Sequence, residues 1–387
     1  MIIGIDASRA VKKQRTGTEN YSRNLIFELA QIDEKNQYTL YVGSDYDGSF
    51  SNFPRNFSVK IIPNKKYWTQ FGLSLEMVKK KPDVLFVPSH MLPTISGKSS
   101  VVTIHDLAWK YFPEVYSKNE IKTQDFSIRR AITKKARIIV YSKSTESDLK
   151  KFYPRSAKLI KFVSMGFDSS GHCDLPIGDP VGEERRGNLK NQIASSEKSS
   201  ALAMTKQPYI LFVGRLESKK NIINLIKAYT MLRSEREVKE RLVLVGSPGF
   251  GYEEIKKEIS SSKFAEDIIE TGFVSDADRN ALYNGATLFA FPSLFEGFGF
   301  PILEAFAAEI PVVTSRVSSM PEVAGSGAIL INPKKPFEIA AAMSQILNKP
   351  ELSRKLVRAG QKELLKYSWD NCARTTLKVL EDKCAMK

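Results

Sequence analysis

The stretch TLFAFPSLFEGFGFPILEAFA (287–307) decides the fold. Its first five residues, TLFAF (287–291), form a short apolar run of the length of a buried strand. Pro301 then stands where a helix begins, because its fixed φ and missing N–H suit the first helical turn. A strand, a glycine-bearing turn and a helix in that order make one half of a βαβ unit. Between strand and helix, Glu296-Gly297-Phe298-Gly299-Phe300 can present backbone N–H groups at a helix N-terminus. Such a terminus attracts anions through unpaired donors and the helix dipole. One acidic residue suits the dipole, but Glu296 and Glu304 together call for a further use. Carboxylates accept hydrogen bonds from sugar hydroxyls, so a polyhydroxylated ligand supplies one. A tight turn with helix-stabilising acids is the alternative reading of the same residues.

Outward from this stretch the alternation continues. YILFV (209–213), RLVLV (241–245), IIETG (268–272), PVVTS (311–315) and AILIN (328–332) read as strands. Helices are expected near 219–233, 253–261, 276–284 and 301–308, with helical pattern from Pro336 onward and a break near Tyr367-Ser368-Trp369. The first half has the same rhythm: IIGID (2–6), YTLYV (38–42), VKII (59–62), VLFV (84–87), VVTIH (101–105), RIIVY (137–141) and LIKFV (159–163). Helices are predicted from about Thr18 to Ala30 and from about Ser117 to Lys135. Strands alternating with helices imply parallel sheets with right-handed crossovers. The predicted fold class is α/β, with two Rossmann-like domains that bind ligands beyond the carboxyl ends of their strands. Residues 169–207 break the rhythm with Gly, Pro, Ser and the run GEERRG, and read as a linker or insertion. The expected division is 1–168, 169–207, 208–367 and a final helical segment 368–387.

Three further motifs fall at strand ends. GRLESKKN (214–221) sets Arg215 at the end of a strand and Lys220 near a helix start. The two cations can clamp a diphosphate and stabilise it as a leaving group, or serve as surface charges at a helix entry. QRTGTENYSRNL (14–25) places Gly17 between the first strand and first helix, where a phosphate can approach the backbone or the chain simply turns. It is not the dinucleotide fingerprint G-x-G-x-x-G. TIHDLAW (103–109) puts His105 and Asp106 at a strand's carboxyl edge, so His105 is a candidate contact to a reacting ligand or an ordinary satisfied histidine. His90 and His172 fall in no metal-ligand spacing, and no catalytic metal is expected. Asp45-Tyr46-Asp47 reads as a simple loop.

Composition bounds these readings. The chain has 387 residues, 42% apolar and 26% charged, as in globular proteins of two or three domains. Cys173, Cys372 and Cys384 cannot all pair and suggest a reducing compartment. The start MIIGIDASRA lacks a signal-peptide pattern, and no apolar run approaches the ~18 residues of a membrane span. The formal charge is +15. Residues 1–165 hold 28 basic and 15 acidic residues, a net +13, and the rest is almost neutral. Solvated helix faces account for such clusters; so does an anionic membrane surface or a phosphate-bearing acceptor. No nucleic-acid-binding signature is present.

FEGFGFPILEA with Glu296 and Glu304 eight positions apart, GRLESKKN, Gly17, TIHDLAWKYFPE and SSMPEVAGSGAILINP (318–333) together resemble the family-4 retaining glycosyltransferases of the GT-B type. The resemblance spans nearly the whole chain. It implies a cleft between two Rossmann-like domains, the first binding an acceptor and the second a nucleotide-sugar donor. By it, Arg215 and Lys220 would hold the donor diphosphate, with Gly17 approaching. Glu304 would hold ribose hydroxyls. Glu296 and the backbone of Phe298, Gly299 and Phe300 would hold the transferred sugar, with His105 beside it. No bound metal or other cofactor is implied, and the last helix would cross back to the first domain. Met165 stands where the family often has asparagine, and only one glycine stands in the first loop. The strand end at His105-Asp106-Leu107 resembles mannosyltransferases of the family. The expected function is therefore hexosyl transfer, favoured as mannose from GDP-mannose, to a glycan or lipid-linked acceptor in cell-surface polysaccharide synthesis. The place expected is the cytoplasm, with peripheral contact at the inner face of the membrane. A nucleotide-sugar epimerase and a non-catalytic binder are the alternatives.

Overall fold

The computed structural model describes residues 1–12, 17–63, 68–89, 91–167, 207–235 and 238–385. The expected linker at 169–207 lies outside the described residues except for Gln207, and so do His90 and His172. The described residues fall into two compact units, one drawn from 1–168 and 367–387, the other from 180–366.

The first unit is a seven-stranded parallel sheet. Its strands are β1 (Ile2–Asp6), β2 (Gln37–Val42), β3 (Phe57–Ile61), β4 (Val84–Val87), β5 (Ser99–Thr103), β6 (Arg137–Val140) and β7 (Ile160–Phe162), in the order β3-β2-β1-β4-β5-β6-β7. β4 and β5 are buried at every position, as parallel strands covered on both faces must be. The helices that cover them are α1 (Gly17–Ile32), α2 (Ser74–Lys79), α3 (Ala108–Tyr111), α4 (Lys118–Thr133) and α5 (Lys143–Phe152). A π-helical turn, Trp68–Leu73, runs directly into α2. The apolar alternation had not revealed this helix, because three of its exposed positions are apolar. α4 starts at a capping box: Ser117 Oγ accepts from Glu120 N, and Glu120 reaches back to Ser117 N. Ser142 caps α5 in the same way, accepting from Thr145 N. Val102, Ile104, Leu107, Ile128, Val140 and Leu149 pack together in the core beneath these helices.

The second unit is a six-stranded parallel sheet made of β8 (Tyr209–Val213), β9 (Arg241–Val245), β10 (Ile268–Gly272), β11 (Leu288–Phe291), β12 (Val312–Ser315) and β13 (Ala328–Ile331). Their order is β10-β9-β8-β11-β12-β13, so the chain reverses direction across the sheet beside β8. That reversal creates the crevice at the strands' carboxyl ends where doubly wound sheets bind ligands. The helices are α6 (Ile222–Glu235), α7 (Tyr252–Ser261), α8 (Asp276–Gly285), α9 (Phe300–Ala307), α10 (Met320–Ala324), α11 (Pro336–Asn348) and α12 (Pro350–Leu364). A last helix, α13 (Trp369–Ala385), packs on α1 and on β4, β5 and β6 of the first unit. Among the described residues no helix is long and apolar enough to cross a membrane.

Candidate functional site

In the second unit two sequence-distant loops meet beyond β8 and β11. The first follows β8. Gly214 leaves the strand, and its carbonyl lies where a Cβ on Gly246, at the end of neighbouring β9, would come within 2.0 Å. Gly246 also has φ of 146°, so only glycine lets the two strand ends close up and aim the next residues outward. Arg215 is exposed there. Glu217 is buried and paired with Lys219 at 3.4 Å. Lys220 closes a 3₁₀ turn, Ser218–Lys220, after which Asn221 takes a left-handed φ of 62°. Asn Nδ2 holds that conformation in place, donating to the carbonyls of Pro292 at 3.0 Å and Pro333 at 2.6 Å.

The second loop follows β11. Leu294 N donates to Lys219 O at 2.8 Å, which ties this loop to the first. Glu296 is fixed through its backbone: Ser318 Oγ accepts from its N–H at 3.3 Å and donates to its carbonyl at 2.6 Å. Ser319 Oγ lies 2.9 Å from the same carbonyl and 2.6 Å from that of Phe298. The Glu296 side chain then points to Lys220, Oε1 to Nζ at 2.6 Å. Both side chains are mostly withdrawn from water, 13% and 14% exposed, so the pair is screened little. Gly299, with φ of 111°, turns the chain into α9, and Pro301 is its second residue. The N–H groups of Gly299 and Phe300 head a helix with no preceding turn to supply carbonyls. Phe298 is buried, and its ring meets that of Phe300 edge-on at 5.2 Å.

Glu304 lies one turn further along α9. Its Oε2 accepts from Tyr283 Oη of α8 at 2.8 Å, and its Oε1 lies 3.8 Å from Arg279. Burial, and then the Glu304 carboxylate, push the Tyr283 hydroxyl well above its ordinary range, so it remains a donor. Thus Arg215, Lys220, Glu296, Phe298, Gly299, Phe300 and Glu304 all belong to this one unit, with Lys220 and Glu296 in direct contact. The supporting residues Ser318, Ser319, Tyr283 and Asn221 were not singled out by sequence reasoning. Only the serine pair preceding MPE, and the Asn closing GRLESKKN, carried a local sign of them.

The other two candidates are in the first unit. Gly17 is the exposed first residue of α1. His105 lies two residues past the end of β5 and is 4% exposed. The Pro88 carbonyl, 2.8 Å from Nε2, can only accept, so Nε2 carries a proton; Nδ1, 2.7 Å away, then accepts from Tyr141 Oη in the neutral ring. Tyr21 packs edge-on against the imidazole at 5.4 Å. Both ring nitrogens are thus held by protein oxygens, which fixes the imidazole just beyond the carboxyl end of β5. Among the described residues no group of three or more His, Cys, Asp or Glu side chains is placed to hold a metal ion.

Residues 195–363, which carry this constellation, match the family of Glycosyl transferases group 1. The chain is a glycosyltransferase. Its relatives include the O-antigen chain mannosyltransferase B of Escherichia coli, 25% identical to the glycosyltransferase over 96% of this chain and 98% of that protein. The serotype-specific mannosyltransferase WbdA of Escherichia coli is 36% identical over 43% of this chain, but over only 20% of its own length. Among solved structures, sucrose-phosphate synthase from Thermosynechococcus elongatus superimposes with a TM-score of 0.71 at 16% identity over the whole of both chains. WaaG, a glycosyltransferase involved in lipopolysaccharide biosynthesis, does so with a TM-score of 0.69 at 14% identity, covering 98% of this chain and 99% of that one. These likenesses show that the glycosyltransferase has a GT-B-type fold of two Rossmann-like domains.

Proposed function

We propose that the protein moves a mannosyl residue, with GDP-mannose as the favoured donor, onto a glycan or lipid-linked acceptor in cell-surface polysaccharide synthesis. The single observation that carries the donor site is the Lys220–Glu296 pair, set beside the free N-terminus of α9. The choice of mannose is supported by the full-length relative named as an O-antigen chain mannosyltransferase.

On this reading Arg215 and Lys220 hold the donor diphosphate, supplying two positive charges where the leaving group develops negative charge. That charge does the work a bound metal would otherwise do, and the reaction is taken to need none. Glu296 orients Lys220 and accepts hydrogen bonds from the sugar's hydroxyls, while the N–H groups of Gly299 and Phe300 meet its oxygens. Glu304, with one carboxylate oxygen on Tyr283, binds the ribose hydroxyls with the other. Transfer retains configuration. The acceptor oxygen bonds to the anomeric carbon on the face from which the diphosphate leaves, and a departing phosphate oxygen takes the acceptor's proton. The protein's part is to position both substrates and stabilise the departing charge. His105, its ring held by Pro88 and Tyr141, lies beside the transferred sugar near the reacting centre on this reading.

A panel of labelled nucleotide sugars, with and without membrane extract and read by mass spectrometry, tests the proposal. Transfer of mannose from GDP-mannose to a lipid-linked product is expected. Isomerised nucleotide sugar without transfer, or transfer from another donor only, overturns it.

A further inference from the structure

We propose that Asn221 is a positioning residue for the transfer reaction, which sets Lys220 and Glu296 at their working separation by tying together the loops that carry them. Asn221 is 6% exposed and follows Lys220 directly. Its carboxamide makes three hydrogen bonds. Nδ2 gives one proton to Pro292 O at 3.0 Å and the other to Pro333 O at 2.6 Å, and Oδ1 accepts from Asn224 Nδ2 at 2.8 Å. Pro292 follows β11, and Pro333 lies two residues past β13. One side chain thus joins three loops, across 71 and 112 residues of sequence. With both amide protons committed to protein carbonyls, Asn221 acts through its neighbours and not by contact with the donor.

Lys220 is bracketed by these bonds. On one side of it Lys219 O accepts from Leu294 N at 2.8 Å, and on the other Asn221 holds Pro292. Both partners belong to the loop that bears Glu296, so the backbones of Lys220 and Glu296 are fixed to one another from two directions. Lys220 N itself donates to Glu217 O at 3.0 Å. Its ammonium then lies 5.5 Å from the centre of the Phe291 ring, in the residue before Pro292, and meets Glu296 at 2.6 Å. A lysine carries its charge on a flexible stem, so the charge keeps to one point only when its base and its partner are both held. The fold alone asks for less than asparagine here. Glycine takes the left-handed φ of 62° at no steric cost, and Asn224 also reaches Pro333 O, at 3.2 Å. What the Asn221 amide adds is the bond to Pro292, which is the bond into the Glu296 loop. A charge that stabilises a leaving group acts only when placed accurately, so this bond bears on the transfer step itself. The inference rests on the reading of Lys220 and Glu296 as the donor-binding pair.

A double-mutant cycle in the full chain tests it. Asn221→Gly keeps the backbone conformation and removes the three side-chain bonds; Asn221→Ser, whose one hydroxyl proton cannot serve two carbonyls, is the second variant. Turnover of GDP-mannose, or of the nucleotide sugar selected by the donor panel, is measured per folded molecule, with folding followed by circular dichroism. Each variant should lower kcat about tenfold in the parent. The same changes made beside Lys220→Ala should lower it less than about twofold further, because no ammonium is left to be placed. A purely structural role gives the same loss in both backgrounds. That equality, or parental kcat in a folded Asn221 variant, overturns the proposal and leaves the donor reading standing. Lys220→Ala turning over at the parental rate removes the donor reading, and the proposal with it.

Discussion

Lys220 and Glu296 stand 76 residues apart in sequence, yet their charged atoms lie 2.6 Å apart in a mostly dry setting. The contact is imposed by topology: β8 and β11 are adjacent in the sheet, so the loops that follow them emerge side by side. An ion pair so placed holds the Lys220 ammonium at a fixed point and occupies one of the two Glu296 carboxylate oxygens.

Removing either partner should therefore act on more than one property. In a withdrawn pair, loss of one side chain leaves the other charge without compensation, at a cost on the order of 3 kcal/mol or less given the remaining exposure. Lys220→Ala should weaken nucleoside diphosphate binding by at least about tenfold and lower kcat by about 10²-fold. Glu296→Ala should depress kcat similarly while nucleoside diphosphate binding, followed by calorimetry, stays within a few-fold of the parent. The double variant should lose less stability than the sum of the two single changes. Unchanged turnover in both single variants would remove the donor-site assignment.

Tyr283→Phe isolates a single hydrogen bond. Glu304 loses its neutral donor and keeps only Arg279 at 3.8 Å. Orphaning one carboxylate oxygen costs about 1–2 kcal/mol, so KM for the donor should rise about tenfold with kcat little changed. An effect on kcat alone would place Glu304 at the reacting centre and not at the ribose.

Gly246→Ala tests the backbone beneath Arg215. The new Cβ would collide with the Gly214 carbonyl at 2.0 Å, and backbone has no side rotamer to escape into. Destabilisation above about 2 kcal/mol is expected, read as a lowered midpoint in urea unfolding. Arg215→Gly, at an exposed position, should leave the midpoint nearly unchanged while impairing donor binding.

Alkaline pH should weaken the fold. Burial raises Tyr41 to about 12; Tyr21, Tyr38, Tyr141 and Tyr283 are raised further, burial again leading. These hydroxyls stay protonated in the folded chain where an unfolded tyrosine ionises near pH ~10. The stabilisation they represent is complete below pH ~10 and is lost as pH climbs toward and past the raised values, because the folded state then binds more protons than the unfolded one. Thermal midpoints should be flat from pH 8 to 9.5 and fall above about pH 10. A midpoint rising over that upper range would contradict the burial of these rings.

Much of this was legible in the sequence for a local reason. Strands such as VLFV (84–87) and LFAF (288–291) are apolar throughout because parallel strands are covered on both faces, so they stand out without any knowledge of partners. The two α/β halves and the strand–turn–helix around Glu296 and Glu304 follow from that periodicity and from Pro301. The order of the strands, the pairing of Lys220 with Glu296, the grip of Tyr283 on Glu304 and the sealing of His105 between Pro88 and Tyr141 do not. Each depends on which strand ends are neighbours, and the crossovers settle that over tens of residues. The helix from Trp68 to Lys79 shows the same limit from the other side: its apolar residues suggest core, and only the packed sheet decides that Met77 is inside while Leu75 and Val78 are outside. Periodicity reports which residues avoid water; the tertiary arrangement alone decides what they meet instead.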